Sequence, residues 1–222
     1  MVDIGKLAGK PVVAVITSMA QPLGTHIGNA LEVKDAIDVL AGRTQGDLLE
    51  ISLLLGSHML VLAEKARTLP EARAMLENAL SSGAGLRKLA EMIAAQGGDP
   101  RVVEDLSLLP QAAVKRVMQA ETAGYLSEMD TTALGMAAQR MGAGRAKKSD
   151  MLDYSVGYVL HVRLGDEVTE DTPLATLYAR NEAEAEEAEK AIRKALTIAR
   201  KKPQTPKLWD AVVTAEGITY NR

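Results

Sequence analysis

The segment from Lys10 to Gly42, KPVVAVITSMAQPLGTHIGNALEVKDAIDVLAG, decides how the rest of the chain is interpreted. Its apolar, β-branched run from Lys10 to Thr17 predicts a buried strand of the kind found in parallel sheets. The residues QPLG at Gln21–Gly24 are a turn signal. From Asn29 onward, apolar residues recur at helical spacing until Gly42, which can end a helix. The segment therefore predicts a strand, a tight turn and a helix in succession.

Composition excludes several classes of protein. The chain has 222 residues, 47% of them hydrophobic, a net charge of −3 and no Cys. The absence of Cys excludes disulfides, thiolate nucleophiles and Cys-ligated metal sites. The negative net charge disfavours a broad basic surface for nucleic acid, and no apolar run approaches the roughly 20 residues of a membrane span. We expect a cytoplasmic protein without nucleic-acid or membrane partners.

Two parts follow from the pattern along the chain. Residues 1–98 are interpreted as one strand followed by about four helices, which gives a partial α/β domain. Residues 99–112 resemble a linker, and residues 113–222 form a second, C-terminal α/β module. The length suffices for one large domain or two small ones.

The second part has a mixed pattern. Residues 114–130 and 154–178 predict strands and turns, and residues 132–140 predict a short helix between them. Asn181 can cap a long helix that is acidic in its first turns and basic at its end, a polarity that complements the helix dipole. This part therefore predicts strands packed with at least two helices.

The turn before Asn29 is the most suggestive feature for binding. Backbone carbonyls in such a turn can face one point, and Asp35 lies on the helix that follows. Carbonyl oxygens with one carboxylate suit a hard, weakly held cation such as potassium or calcium. The same residues also fit an ordinary strand–helix connection with a solvated Asp35. Both interpretations stay open at this point.

Motifs for catalysis are absent. The sequence has no phosphate-binding loop, no dinucleotide fingerprint and no Ser–His–acid spacing. Gly142–Arg145 (GAGR) could hold an anion, although it follows a helix and is interpreted as a helix end with a surface Arg. The acidic run from Glu182 to Glu189 is typical of a solvated helix face. We therefore assign no catalytic or substrate-binding residue, and whether the chain is an enzyme stays open.

Several motifs in order resemble the C-terminal half of pyrimidine-nucleoside phosphorylases, including bacterial thymidine phosphorylases. The first is AVITSMAQPLGTHIGNALEVKDAI at residues 14–37, the most specific part of which runs from Gln21 to Lys34. AAQGGDPRVVED follows at residues 94–105. The third, AGYLSEMDTTALGMAAQRMGAGRAKKSDMLDYSVGYVLHVRLGDEV, covers residues 123–168. Together these motifs extend the resemblance over nearly the whole chain.

The resemblance implies a fold and a reaction. The family's enzymes are glycosyltransferases of pyrimidine metabolism and nucleoside salvage, about twice as long as this chain. They cleave a pyrimidine nucleoside with phosphate, which gives the free base and a (deoxy)ribose 1-phosphate. The implied fold class is α/β: the C-terminal part of a large α/β domain, then an α+β module with a lipoyl-like β-sandwich.

The resemblance also implies that something is missing. The family's phosphate loop and base-binding residues lie upstream of the matching region and have no counterpart here. We therefore expect a truncated chain that is inactive alone and pairs with a missing N-terminal half. The alternative is a stand-alone domain that self-associates or binds a partner without catalysis, because Val12–Ile16 would lack neighbouring strands.

By resemblance, the turn would hold the family's potassium ion. The ligands would be the backbone carbonyls of Leu23 and His26 and the carboxylate of Asp35. The family usually has Ala and Glu at the last two positions. Its other ligands come from the upstream phosphate loop, so the site in this chain would be partial.

Overall fold

The computed structural model describes residues 1–221, which contain seven α-helices and ten β-strands. The helices are α1 (Val2–Leu7), α2 (Asn29–Leu40), α3 (Asp47–Leu62), α4 (Leu69–Ser81), α5 (Ala84–Ala95), α6 (Thr131–Ala138) and α7 (Glu182–Lys194). The strands are β1 (Ala14–Thr17), β2 (His26–Ile27), β3 (Val114–Gln119), β4 (Gly124–Met129), β5 (Gly157–Leu160), β6 (Glu167–Val168), β7 (Pro173–Ala179), β8 (Leu196–Ala199), β9 (Trp209–Val213) and β10 (Ile218–Tyr220). The mixed α/β class predicted from the sequence is confirmed.

The chain forms two compact units, and each is assembled from separate stretches of sequence. Unit 1 contains Met1–Ser18, Asp38–Leu89 and the segment from Pro206 onward, whereas unit 2 contains Met19–Ile37 and Ala90–Thr205. The units do not coincide with the predicted division at residues 99–112, which stays a prediction about domain boundaries.

Unit 1 contains a three-stranded antiparallel sheet in the order β1-β9-β10. The strand predicted at Lys10–Thr17 is confirmed as β1, but the expected parallel setting is wrong. β1 pairs with β9, Ala14 facing Val213 and Ile16 facing Ala211. A half-buried, β-branched run fits either sheet type, so the run could not specify its partner. The expectation that Val12–Ile16 lacks strand neighbours is corrected by this pairing.

Helices α3 and α4 of unit 1 pack through aliphatic side chains. Leu49, Leu53 and Val39 form a buried cluster, against which partly buried leucines of α3 and α4 pack. The start of α4 is capped by Thr68, whose hydroxyl accepts a hydrogen bond from the Glu71 N–H at 3.3 Å. Pro70 stands in the first turn, as the sequence predicts.

Unit 2 contains two antiparallel sheets, one in the order β2-β5-β7-β3 and one in the order β6-β4-β8. Side chains from both sheets and from α6 and α7 share one apolar core. Tyr158 of β5 is fully buried there, and its hydroxyl donates to the Leu134 carbonyl of α6 at 2.8 Å. Burial of this phenol raises the pKa of Tyr158. The largest apolar core therefore belongs to unit 2.

The ends of α7 confirm the predicted polarity. Asn181 caps the helix, and its side-chain oxygen accepts from the Glu184 N–H at 3.0 Å. Glu182 and Glu184 occupy the first turn, and Arg193 and Lys194 occupy the last. Acidic groups at the amino end and basic groups at the carboxyl end both stabilise the helix dipole.

Two glycines allow β2 to join the larger sheet of unit 2. Gly28 follows β2 and Gly157 begins β5, with φ of +135° and +148°. A Cβ on Gly28 would overlap the Val156 carbonyl oxygen and lie 3.0 Å from the Gly157 Cα. A Cβ on Gly157 would overlap the Ile27 carbonyl oxygen. The two backbones therefore pass at a distance that only glycine permits on either side.

We predict that Gly28→Ala lowers the free energy of unfolding by roughly 2–4 kcal/mol, because the new methyl group meets backbone and the positive φ becomes strained. Gly157→Ala should have a similar effect. The measurement is urea unfolding followed by circular dichroism. Gly135→Ala is the control, since Gly135 lies in α6 with open space around its Cα. A loss for Gly28→Ala no larger than that of the control would contradict the prediction.

Candidate functional site

The turn at Gln21–Thr25 is held at both ends by the last residue of β5 and the segment that follows it. The Leu160 N–H donates to the Thr25 carbonyl at 2.8 Å. The Leu164 N–H donates to Oε1 of Gln21 at 3.0 Å. The turn that the sequence singled out is therefore fixed against residues about 140 positions later in the chain.

His26 and Asp35, two of the three residues expected to bind a cation, come together. Asp35 of α2 is only 4% exposed, and its Oδ1 lies 3.5 Å from Nδ1 of His26. The same ring nitrogen is 3.0 Å from the Thr25 hydroxyl. The alternative of a solvated Asp35 is therefore wrong, because α2 packs this carboxylate inside the unit.

The register of β2 orients the His26 backbone. His26 faces Val159 and Ile27 faces Tyr158 in the antiparallel pair with β5. Because the Thr25 carbonyl accepts from β5 and alternate residues of a strand point their carbonyls in opposite directions, the His26 carbonyl points away from β5. The His26 ligand expected from the sequence is a backbone oxygen on the outer side of an edge strand.

Leu23, the third expected ligand, faces a residue that the sequence did not single out. The Leu23 carbonyl lies 3.5 Å from Nη2 of Arg163. The neighbouring carbonyls of Pro22 and Gly24 lie 2.7 Å and 3.5 Å from Nη1 of the same guanidinium. Nothing in the local sequence around Arg163 connects it to a turn about 140 residues earlier.

The start of α2 is fixed by contacts within unit 2. The Asn29 side-chain amide donates to the Ala143 carbonyl at 2.9 Å, and the Ala30 N–H donates to the Tyr154 carbonyl at 3.0 Å. The Gly28 N–H donates to Oε1 of Glu32 at 3.3 Å, which satisfies one free donor at the helix start. These bonds set the position of Asp35 one to two turns further on.

The GAGR segment, Gly142–Arg145, presents an acceptor to this helix. Gly142 has a φ of +108° at the end of the helical segment Gln139–Ala143. The Ala143 carbonyl then accepts from Asn29. A carbonyl bonded to Asn29 offers no donor to an anion, so the interpretation as a helix end agrees with the geometry.

The three groups expected to bind a cation offer oxygen ligands of the kind that a hard cation prefers. They are two backbone carbonyls and one buried carboxylate. Within residues 1–221, no group of three or more His, Asp or Glu side chains lies close enough to hold a metal ion. Any cation bound here would therefore depend on the backbone of the turn and on Asp35 together.

Comparison with known proteins connects this geometry to a family. Residues 125–199 match the family model for the pyrimidine nucleoside phosphorylase C-terminal domain. The pyrimidine-nucleoside phosphorylases of Geobacillus stearothermophilus and Bacillus subtilis (strain 168) are each 50% identical over 182 residues, which is 82% of this chain and 42% of theirs. That of Staphylococcus aureus (strain USA300) is 44% identical over 199 residues, 90% of this chain and 46% of its own.

The chain is therefore similar to the C-terminal part of pyrimidine-nucleoside phosphorylases. The family resemblance predicted from the sequence is confirmed by these matches. The chain spans less than half the length of the curated relatives that it matches. None of the helices in residues 1–221 is long and apolar enough to cross a membrane.

His161 lies in the same domain and belongs to its structure. Its Nε2 is 2.7 Å from the hydroxyl of Thr176, which is buried in β7. Burial lowers the pKa of His161, and the positive charge of Lys115 lowers it further. The ring is therefore disposed to stay neutral at neutral pH and to satisfy Thr176.

Proposed function

We propose that this chain is the C-terminal portion of a pyrimidine-nucleoside phosphorylase, a cytoplasmic glycosyltransferase of nucleoside salvage. The reaction converts a pyrimidine nucleoside and phosphate to the free base and a (deoxy)ribose 1-phosphate. The 50% identity to the Geobacillus and Bacillus relatives over 182 residues is the observation that carries the proposal. The distinctive segment from Gln21 to Lys34 lies in the same compact unit as the matched residues 125–199.

The proposed chemistry is attack of phosphate on the anomeric carbon of the sugar, which breaks the bond to the base through an oxocarbenium-like state. Catalysis then rests on placing the phosphate anion against developing positive charge. We assign no catalytic residue to this chain. Its part in the reaction is to provide a rigid platform, the turn at Gln21–Thr25 and the buried Asp35, beside which the remainder of the enzyme binds nucleoside and phosphate.

The two sheets of unit 2 support a further detail. We propose that they form the lipoyl-like β-sandwich that the resemblance implies, because both contribute to one apolar core. No carrier function is proposed for this sandwich, since a lipoyl or biotinyl carrier needs a Lys at a hairpin tip. Lys147 and Lys148 instead follow the end of a helix.

The purified chain is expected to show no phosphorolysis of thymidine or uridine with phosphate. Mixing it with the separately produced N-terminal part of the Bacillus subtilis relative is expected to restore release of thymine or uracil. In the same mixture, the Gly135→Ala variant of this chain should restore activity as the unmodified chain does. The Gly28→Ala variant should not, because a methyl group at Gly28 displaces the turn at Gln21–Thr25. The measurement is base release followed by chromatography.

Turnover by the chain alone would overturn the expected inactivity. Failure of the folded chain to restore any activity in the mixture would count against its role as part of such an enzyme.

We further propose that the turn binds potassium weakly through the carbonyls of Leu23 and His26 and the carboxylate of Asp35. Asp35 is buried beside the His26 imidazole, and a cation would offset the cost of holding that carboxylate away from water. The remaining ligands would come from the phosphate loop in the rest of the enzyme. The affinity of this chain alone should therefore be low.

The cation proposal is tested by Asp35→Asn. Potassium chloride should raise the thermal unfolding midpoint of the chain more than choline chloride at equal ionic strength, because a ligand that binds the folded state stabilises it. Asp35→Asn should abolish that difference. Asp38→Asn is the control and should retain the difference between the two salts. Asp38 is another carboxylate of α2, and it pairs with Arg43 beyond the end of the helix. Equal midpoints in the two salts for the unmodified chain would exclude the site in this form.

One observation favours the alternative of a self-associating domain without catalysis. Leu55, Met59 and Leu62 are 42%, 68% and 37% exposed on α3. Their spacing of four and three residues places them on one helix face. An exposed apolar stripe of this kind promotes association.

Under this alternative, light scattering should show an average mass above that of the 23.7 kDa monomer at high concentration. Met59→Glu should lower the average mass, because a carboxylate in an apolar contact is costly to desolvate. Met75→Glu, which changes an exposed methionine of α4, is the control. A monomer at all concentrations would contradict self-association.

A further inference from the structure

The guanidinium of Arg163 faces three consecutive backbone carbonyls. Nη1 donates to the Pro22 carbonyl at 2.7 Å and lies 3.5 Å from that of Gly24, and Nη2 lies 3.5 Å from that of Leu23. Carbonyl oxygens carry partial negative charge, so their convergence is unfavourable without a positive group between them. A guanidinium suits this position because it is always charged and presents five donors in a planar fork.

Arg163 is itself held in place by its own turn. Its backbone N–H donates to Oδ2 of Asp166 at 2.7 Å, and the Asp166 N–H returns a bond to the Arg163 carbonyl at 3.1 Å. The Gly165 N–H donates to the Leu126 carbonyl of β4 at 2.8 Å, and Gly165 has a φ of +88°. The side chain therefore leaves a fixed backbone position, which reduces the entropy lost when it binds the carbonyls.

Two further bonds flank this contact. Leu160 donates to the Thr25 carbonyl and Leu164 donates to the Gln21 side chain. Arg163 lies between these two donors in sequence, so its guanidinium reaches the middle of a turn whose ends are already fixed. Among the groups that face the turn from this segment, Arg163 supplies the positive charge.

We propose that Arg163 is a positioning residue that acts as the internal cation of the turn at Pro22–Gly24. Its charge holds the three carbonyls in their convergent orientation without a bound metal ion. A potassium ion at the Leu23 carbonyl would then meet a preformed turn and would not be needed to form it. The proposal rests on contacts within unit 2 and is independent of whether the chain takes part in phosphorolysis.

The test is amide hydrogen exchange at Leu160 and Leu164, whose N–H groups report on the two ends of the turn. Arg163→Ala should raise both exchange rates, corrected for intrinsic rates, by about tenfold or more, since a hydrogen bond to a charged group is lost. Arg163→Lys should give intermediate rates, because an ammonium is a point charge without the planar fork. Arg200→Ala removes an exposed arginine at the end of β8 and should leave both rates unchanged.

Chemical rescue separates charge from shape. Guanidinium chloride, at a concentration well below that which unfolds the chain, should slow exchange in Arg163→Ala toward the unmodified rates. Urea has a similar planar shape without the charge and should not. In the unmodified chain, replacing potassium by choline should change both rates far less than Arg163→Ala does, because the guanidinium and not the metal ion holds the turn.

Three results would overturn the proposal. The first is Arg163→Ala with exchange rates equal to those of the unmodified chain. The second is equal rescue by urea and guanidinium. The third is full protection in Arg163→Gln, which keeps an amide donor but no charge and remains informative if Arg163→Ala does not fold. Every measurement is made without nucleoside or phosphate, so a failure of the proposed reaction would leave these results unchanged.

Discussion

The close approach of the backbones at Gly28 and Gly157 is the contact on which the candidate site depends. β2 has only two residues, too few to hold a strand in place by its own ladder. The glycines let it lie against β5, and the resulting register brings the Thr25 carbonyl to the Leu160 N–H. The turn, the start of α2 and the position of Asp35 all follow from that register. A side chain at either glycine would move all of them together.

Charge within the site is balanced by residues that are distant in sequence. The carbonyls of Pro22, Leu23 and Gly24 face Arg163, whereas the carboxylate of Asp35 faces His26. A buried carboxylate and a cluster of carbonyls are each costly unless a positive or hydrogen-bonding group faces them. The fold therefore places a permanent cation at the turn and an imidazole ring at the carboxylate. An added cation would therefore lower the cost of burying the Asp35 carboxylate more than that of the carbonyls, because the carbonyls already face Arg163.

Local patterns in the sequence predicted the elements whose formation depends on interactions between residues close in sequence. The periodicity from Asn29, the cap at Asn181 and the polarity of α7 gave correct helices, because capping and dipole effects act within a few residues. The antiparallel pairing of β1 with β9 escaped prediction because about 200 residues separate the strands. β2 was missed because two residues carry no detectable alternation. Arg163 was missed for the same reason as the pairing of β1 with β9: its partners are defined only by the folded chain.

The discontinuity of unit 2 explains why the family match and the distinctive motif occur in separate parts of the sequence. The matched domain covers residues 125–199, yet Met19–Ile37 belongs to the same compact unit and supplies an edge strand to its sheet. The strands β5, β7 and β3 all lie outside that segment and pair with one another, whereas β2 pairs with β5 at the edge of the sheet. Docking of the turn on β5 therefore carries the entropic cost of closing a long loop. The contact of the Arg163 guanidinium with the carbonyls at the centre of the docked turn offsets part of that entropic cost.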